Sequence, residues 1–202
     1  MTASWIARAA TLSLMVGCTT AQSSADAVRY EIDGAHTHII WHVDRFGFTD
    51  TVGTFTDISG SLILDEADPE ASEVTAEIAL AGLRSDLQER EDIVRGEHWL
   101  NAQANPTISF RSTAVRLVVS EACPTQCAEV IGEMQLNGQT APLTLQVQLN
   151  KLGTDPVTRR QAAGFSATGA FDRSAFGVNT AIGPIGDTVR FQIEALAVAA
   201  EN

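Results

Sequence analysis

Basic residues are scarce in this sequence, and long apolar runs are missing. The 202-residue chain has 13 lysines and arginines against 25 aspartates and glutamates, which gives a formal net charge of −12 at pH 7. A surface of that sign repels phosphate backbones, so nucleic acid is not an expected partner. No stretch approaches the roughly 18 uninterrupted apolar residues that a spanning helix needs. We therefore expect the mature body to be water-soluble.

The sequence motifs of common catalytic and nucleotide-binding sites are also missing. There is no Gly-x-Ser-x-Gly elbow, no His-Glu-x-x-His pair and no phosphate-binding glycine loop. Neighbouring acids such as Asp65-Glu66 and Glu91-Asp92 are interpreted as solvated turns and a helix face. The sequence therefore predicts a binding protein rather than an enzyme, with no required cofactor.

Only three cysteines are present, and the first, Cys18, follows a stretch that is typical of an export leader. Residues 1–17 combine a basic start with an apolar segment too short for a stable anchor. Leu14 to Cys18 resembles a bacterial lipoprotein cleavage box, which would lipidate Cys18 and make residues 18–27 a flexible tether to the outer membrane. The alternative is ordinary cleavage after Ala25-Asp26-Ala27. Both interpretations predict export to the periplasm.

The other two cysteines are predicted to form a disulfide. Cys123 and Cys127 are an even pair in a chain bound for an oxidising compartment, and three residues separate them. Closing so small a ring removes only ~2 kcal/mol of unfolded-state entropy. We interpret the pair as a clip on a hairpin tip rather than as a redox or metal site.

Apolar and polar residues alternate along most of the chain after residue 27, which predicts strands with one buried face. Residues 143–150 are the clearest case, with leucine or valine at every second position. About eight or nine such segments follow one another, separated by turn signals. The strongest turn signal is Asn137-Gly138, which favours a two-residue hairpin. Neighbouring strands are therefore expected to be antiparallel.

One predicted helix breaks this pattern over residues 85–96, with Ser85 and Gln88 as its capping box. A second helical turn is predicted over residues 173–176. One short helix cannot cover the apolar face of an eight-stranded sheet, whereas closure into a barrel buries that face and removes free edges. The sequence therefore predicts an all-β domain over residues 28–202, an eight-stranded antiparallel barrel with one or two short helices.

The interior of such a barrel is either filled by side chains or wide enough for one slender ligand. Small inward residues would leave space lined by carbon, which suits an apolar ligand. A tight barrel that tapers from large to small residues fits the periodicity equally well. The large residues predicted to face inward are Trp41, Phe55, Phe110, Phe165 and Phe191, and the small ones are Gly60, Ala76, Gly132, Ala167, Gly169 and Ala195.

Three histidines on one predicted strand give an alternative hypothesis. His36, His38 and His42 share one parity, and a His-x-His pair on a strand can present two imidazoles to one metal. The protein would then be a metal- or protein-interaction module on a solid barrel. The opposing interpretation is that these are surface histidines on the wet face.

Short motifs follow one another in a characteristic order between residues 30 and 197. They are Tyr30-Glu31-Ile32-Asp33 with His36-Thr37, Gly53-Thr54-Phe55, Arg90-Glu91, Trp99-Leu100, Pro106 with Ile108 and Phe110, Gly132 through Pro142-Leu143, and Arg173-Ser174-Ala175-Phe176-Gly177. In this order they resemble the YceI-like family of exported, lipocalin-like barrels that bind polyisoprenoids and related amphiphiles. Arg45 departs from the pattern, because it stands where the family often has histidine.

The resemblance implies a lumen that holds a polyisoprenoid, an isoprenoid quinone or a fatty-acid derivative, for transport or storage. Arg45, near the end of its strand, is the candidate for contact with the ligand's head group, and the helix and the Trp99 loop would act as a lid. The resemblance also implies two-fold pairing of barrels into a homodimer as one option. The ligand-binding residues predicted on this basis are Ile39, Trp41, Val43, Phe55, Ile58, Leu62, Val74, Ile78, Leu80, Ile93, Trp99, Leu100, Phe110, Met134, Phe165, Phe176 and Phe191.

Overall fold

Strands make up most of the computed structural model, which describes residues 27–118, 123 and 127–201. The predictions for the leader, for Cys18 and for the tether up to residue 26 lie outside these residues, whereas Ala27, the last residue of the predicted tether, already belongs to the first strand. The described chain forms eleven strands and one α-helix, α1 (Gln88–Arg95). The strands are β1 (Ala27–Ile32), β2 (His38–Arg45), β3 (Thr49–Phe55), β4 (Ile58–Asp65), β5 (Glu73–Ala79), β6 (Leu83–Arg84), β7 (Thr107–Val118), β8 (Cys127–Leu136), β9 (Gln139–Thr154), β10 (Gln161–Asp172) and β11 (Ile185–Ala199).

The strands close into one antiparallel barrel. Three consecutive pairs, β1 with β2, β3 with β4 and β5 with β6, are each the two halves of one bent strand, so the barrel has eight walls. Each wall pairs with the next, and β11 closes the ring by pairing with β2 through Val189–Glu194 and with β1 through Ala197–Ala199. The prediction of an eight-stranded antiparallel barrel is confirmed. Closure leaves the eight walls without a free edge, which is the benefit expected from the sequence.

Local sequence explains why these strands form and where they turn. On β9, Leu143 and Leu145 are buried while the intervening Thr144 and Gln146 are exposed. The predicted turn at Asn137-Gly138 is also present, with φ of 49° and 72°, and it joins β8 to β9 as a two-residue hairpin. Positive φ at both central positions matches the right-handed twist of the flanking strands.

The connections between walls lie at two opposite ends of the barrel. The helical end contains the β2–β3 turn, α1 with the segment that leads into β7, the β8–β9 hairpin and the β10–β11 connection. The terminal end contains the start of β1, the end of β11 and the connections β4–β5, β7–β8 and β9–β10. The Cys123–Cys127 disulfide lies at the terminal end, where Cys127 is the first residue of β8, and its two Cα atoms are 6.2 Å apart. The predicted disulfide is therefore confirmed.

Helix α1 begins later than predicted, and its start is not held by the predicted capping box. Leu87 is the N-cap residue and makes no side-chain cap, while Gln88 is the first helical residue. The backbone N–H of Ser85 instead donates to the buried Glu91 carboxylate, with 2.7 Å between the nitrogen and Oε1. Arg95 donates to the carbonyl of Leu83 at 3.1 Å, which ties the helix to β6.

A short helical turn at Arg173–Phe176 follows β10, as predicted, and it is a 3₁₀ turn. Two further 3₁₀ turns, Pro69–Ala71 and Leu80–Gly82, lie beside β5. Among the residues that the structure describes, no helix combines the length and the apolarity that a membrane span requires.

Candidate functional site

The interior of the barrel contains a cavity of about 500 Å³, here called the lumen. On β11 its lining side chains run from Ile185 at the helical end to Ala197 near the terminal end. At about 3.4 Å per residue and a strand tilt of about 40°, this run extends ~30 Å along the barrel axis. The barrel is therefore hollow, which favours the ligand-holding interpretation over the tightly packed one.

The wall of the lumen is built almost wholly from carbon. Every wall contributes inward leucine, isoleucine, valine, alanine or aromatic side chains, as the alternation along the strands dictates. Polar lining is sparse, and Thr37 is already occupied because its hydroxyl contacts the backbone of Leu196. A carbon-lined space of this kind accepts an apolar ligand and offers little to a charged one except at the ends.

Two large aromatic rings pack against glycines of the neighbouring strand. A Cβ atom on Gly53 would lie 2.2 Å from the Trp41 ring, and one on Gly169 would lie 2.4 Å from the Phe191 ring. Trp41 and Gly53 are Cα partners across β2 and β3, and Gly169 and Phe191 are partners across β10 and β11. Because these glycines have no side chain, the rings can lie against the wall, and the open space lies further inside.

This arrangement corrects one sequence expectation. Gly132 and Gly169 were expected to leave empty space at the wall, whereas the rings of Phe110 and Phe191 occupy those positions. Gly60 likewise leaves no space, because a Cβ atom there would lie 2.1 Å from the carbonyl oxygen of Thr75 on β5. Of the small residues predicted to face inward, the three alanines do line the lumen, namely Ala76, Ala167 and Ala195.

One polar atom in the wall lacks a partner. The indole Nε1 of Trp41 is buried and has no hydrogen-bond partner among residues 27–118, 123 and 127–201. An unpaired buried donor costs about 1–3 kcal/mol. Other atoms of the Trp41 ring line the lumen, but Nε1 itself is fully buried next to the ring edge that packs against Gly53, so a ligand in the lumen does not reach it.

Most of the residues predicted to bind the ligand do line the lumen. Leu80 and Phe176 are the exceptions; both are fully buried, but in the core at the helical end. Leu80 begins a 3₁₀ turn, and the ring of Phe176 packs edge-on against Phe171 at 5.4 Å between centroids. The predicted residues found in the wall are Ile39, Trp41, Val43, Phe55, Ile58, Leu62, Val74, Ile78, Ile93, Trp99, Leu100, Phe110, Met134, Phe165 and Phe191. Their ligand contact stays a prediction.

Several lining residues were not predicted, although the alternation pattern could have found them. Leu143, Leu145 and Val147 on β9 line the lumen, and so do Ile108 and Ile193. Each has the inward parity of its strand. Extending the inward parity along every strand of a hollow barrel predicts all five residues.

Arg173 is a further lining residue for which no role was predicted. It is almost fully buried, and its guanidinium donates to the carbonyls of Val178, Thr180, Ile185 and Gly186 at 2.8 to 3.1 Å. The same group lies over the Trp99 ring at 5.2 Å. Burial lowers the pKa of Arg173. These contacts tie the β10–β11 connection to the Trp99 loop at the helical end.

Two other arginines line the lumen at the helical end with their charges uncompensated. Arg45 ends β2 and is exposed, while Arg90 lies on α1 and is half-buried. Neither makes a salt bridge within the described part of the chain. Ile93, beside them on α1, both lines the lumen and is 52% exposed, so the cavity reaches the surface here.

The histidines of the alternative hypothesis lie outside the lumen. His36 is exposed, and its Nδ1 lies 2.8 Å from a carboxylate oxygen of Asp33. His38 and His42 have the opposite parity to Ile39 and Trp41, which line the lumen. In the ranges that the structure describes, no group of three or more histidines, cysteines or acids could hold a metal ion. The metal hypothesis therefore gains no support.

Comparison with known proteins agrees with this architecture. The sequence model of the YceI-like domain matches residues 30–197, which is most of the chain. The chain belongs to the YceI-like family. A UPF0312 protein from Serratia proteamaculans is 33% identical over 180 residues, covering 88% of this chain and 90% of the relative.

Solved structures show the same YceI-like fold. BcnA from Burkholderia cenocepacia superposes with a TM-score of 0.71 at 20% identity, covering 82% of this chain and 98% of that protein. A domain from Saccharophagus degradans, described as polyisoprenoid-binding and implicated in plant cell wall breakdown, superposes with a TM-score of 0.62 at 11% identity. That match covers 86% of this chain and 99% of the domain. The solved structures therefore agree with the barrel that the strand pairing shows.

Proposed function

We propose that this protein holds one long-chain amphiphile in its lumen, namely a polyisoprenoid, an isoprenoid quinone or a fatty-acid derivative. The observation that carries the proposal is the cavity of about 500 Å³ with its carbon-lined wall. The polyisoprenoid-binding description of the Saccharophagus domain supports the same ligand class. Binding rather than catalysis is the proposed activity, and it serves transport or storage.

The free energy of such binding comes from the chain. Each buried CH₂ group contributes ~0.8 kcal/mol, so ten of them contribute ~8 kcal/mol before the cost of association. That cost is at least about 4 kcal/mol, so useful affinity requires a chain well beyond ten carbons. A lumen ~30 Å long suits an extended chain better than a compact ring system.

The polar end of the ligand is proposed to lie at the helical end. Arg45 and Arg90 line the lumen there and have no salt-bridge partner among the described residues. We therefore propose an oxygen-bearing head group, with the tail directed towards the terminal end.

The proposed location is the periplasm. The leader over residues 1–17 supports export, and Cys18 is proposed as the lipidated residue of an outer-membrane anchor. Homodimer formation is a further proposal from the family resemblance. Metabolic labelling with palmitate, compared between the native chain and Cys18→Ser, tests the anchor, because only a lipidated cysteine takes up the label.

Extraction of the purified mature protein with organic solvent, followed by mass spectrometry, tests the function. We expect a long-chain amphiphile in the extract at close to one per protein. Protein stripped of this molecule should take up a fluorescent long-chain fatty acid, whereas heat-unfolded protein should not. An empty extract together with no uptake of the fatty acid would refute the proposal.

A further inference from the structure

Exposed aromatic rings mark the β2–β3 turn at the helical end. Phe48 is 90% exposed and Phe46 is 51% exposed. Ile182, on the adjoining β10–β11 connection, is also exposed. The two segments are joined because the backbone N–H of Phe46 donates to the carbonyl of Pro184 at 2.7 Å. Phe46, Phe48 and Ile182 are here called the aromatic rim.

The backbone of the turn holds the rim in place. The N–H of Phe48 donates to the carbonyl of Arg45 at 3.1 Å, and the N–H of Gly47 donates to the Asp44 carboxylate at 2.9 Å. Phe46 and Gly47 both have positive φ, 58° and 69°. A bulky residue rarely adopts this conformation, and here it accompanies an outward-facing aromatic side chain.

The aromatic rim adjoins the positively charged side chain of Arg45, which also lines the lumen. The Arg45 guanidinium lies over the Phe46 ring at 4.8 Å and has no salt bridge within the described ranges. The neighbouring Asp50 is already held by Arg190, at 2.8 and 2.9 Å from its two carboxylate oxygens. Arg45 lines the lumen, so the rim is continuous with the mouth of the cavity.

We propose that the aromatic rim docks on a phospholipid bilayer and that the ligand passes directly between the bilayer and the lumen. Phe46 and Phe48 would insert at the boundary of head groups and acyl chains, and Arg45 would meet lipid phosphate. This proposal rests on the proposed function, because it concerns the route by which a long-chain ligand, which is only sparingly soluble in water, reaches the mouth. Apolar rings beside a cation at a cavity mouth match the layered chemistry of a bilayer surface.

Vesicle binding tests the proposal with a matched pair of variants. Phe48→Ser removes the exposed ring of the rim. Val157→Ser removes a side chain that is 87% exposed at the terminal end, in the β9–β10 connection. Both residues are solvent-exposed, so neither substitution should impair folding. Co-sedimentation would use vesicles of phosphatidylethanolamine and phosphatidylglycerol.

We expect Phe48→Ser to weaken vesicle binding about tenfold, since burial of a phenylalanine ring is worth ~1.5–3 kcal/mol. Val157→Ser should bind like the wild type. Arg45→Gln should weaken binding about fivefold, the equivalent of ~1 kcal/mol per basic residue near an anionic surface. The transfer rate of a fluorescent fatty acid from vesicles to protein should fall in parallel.

Several results would overturn the docking proposal. One is equal vesicle binding by wild type, Phe48→Ser and Val157→Ser, and another is an equal loss in the two serine variants. A third is a change of oligomeric state in Phe48→Ser by size-exclusion chromatography, which would assign the rim to a second copy of the chain. Uptake of the fatty acid in vesicle-free solution separates the two proposals. If the wild type takes up none, the proposed function fails. If uptake is normal and the rate of transfer from vesicles is the same in wild type and Phe48→Ser, only the docking proposal is refuted.

Discussion

Filling the lumen at a single position should change both affinity and chain-length preference. Ala167 lies on β10, is buried in the wall, and has Val147 and Ile193, also lumen-lining, as its Cα partners. Ala167→Phe places six additional carbons in the cavity. If the ring displaces ~4 methylene groups of the ligand at ~0.8 kcal/mol each, binding weakens by ~3 kcal/mol, more than a hundredfold in Kd.

The control is Ala170→Phe on the same strand. Ala170 is exposed on the outer face of the barrel, so a ring there cannot reach the lumen. The assay is displacement of a fluorescent fatty acid by unlabelled fatty acids of increasing length, with circular dichroism to verify folding. We expect Ala167→Phe to penalise long chains more than short ones and Ala170→Phe to match the wild type. If Ala167→Phe bound fatty acids of every chain length with wild-type affinity, the lumen would be refuted as the binding site.

Three further predictions concern single side chains. Trp41→Phe removes the unpaired Nε1, which is buried away from the lumen, so the binding of a long-chain alcohol and of a hydrocarbon of equal length should change by the same factor in titration calorimetry. A loss confined to the alcohol would contradict this. Arg173→Met removes four hydrogen bonds to carbonyls and should lower the free energy of unfolding by about 3 kcal/mol in urea denaturation. An unchanged urea concentration at the unfolding midpoint would contradict this. Hydrogen bonds from Ser174 hold the pKa of Asp187 below its usual range. They therefore stabilise the fold above the unfolded-state pKa, and this contribution is lost as pH falls through the folded-state pKa. In Asp187→Asn the melting temperature should depend less on pH over that acidic interval.

The barrel was predictable because the signals for it are local. Alternation on strands such as β9 depends only on successive residues, and Asn137-Gly138 specifies a tight hairpin without help from the rest of the chain. Once eight antiparallel segments and one short helix are expected, closure follows from the need to cover the apolar face. The disulfide is predictable for the same reason, since only three residues separate its cysteines.

The errors arose where distant parts of the chain determine the structure. The sequence pattern predicts empty space at Gly132 and Gly169, but rings from neighbouring strands cover both positions. Alternation along one strand does not show which rotamer a ring on the next strand adopts. The start of α1 was placed at Ser85 because the spacing fits a capping box. In the structure the Ser85 N–H donates a hydrogen bond to the Glu91 carboxylate, and the helix begins at Gln88.

The lining of the lumen was only partly predictable for a related reason. Inward parity on a strand finds residues such as Trp41, but it cannot decide whether a side chain beyond the strand ends faces the cavity or the core. Leu80 and Phe176 belong to 3₁₀ turns, where the period-two rule does not apply. The four-carbonyl cradle of Arg173 depends on the path of the β10–β11 connection, for which no short sequence signal exists.

The meeting of β1 and β11 makes one side of the molecule convenient for attachment. Tyr30 and Ala199 are Cα partners, so the first and last strands run beside each other with both outer ends directed away from α1. A surface linker or a fluorescent fusion joined after Ala199 would therefore leave the mouth beside Phe48 facing outward. The same proximity makes this barrel suitable for circular permutation, because a short peptide could join the two strands and new termini could open in the β9–β10 connection.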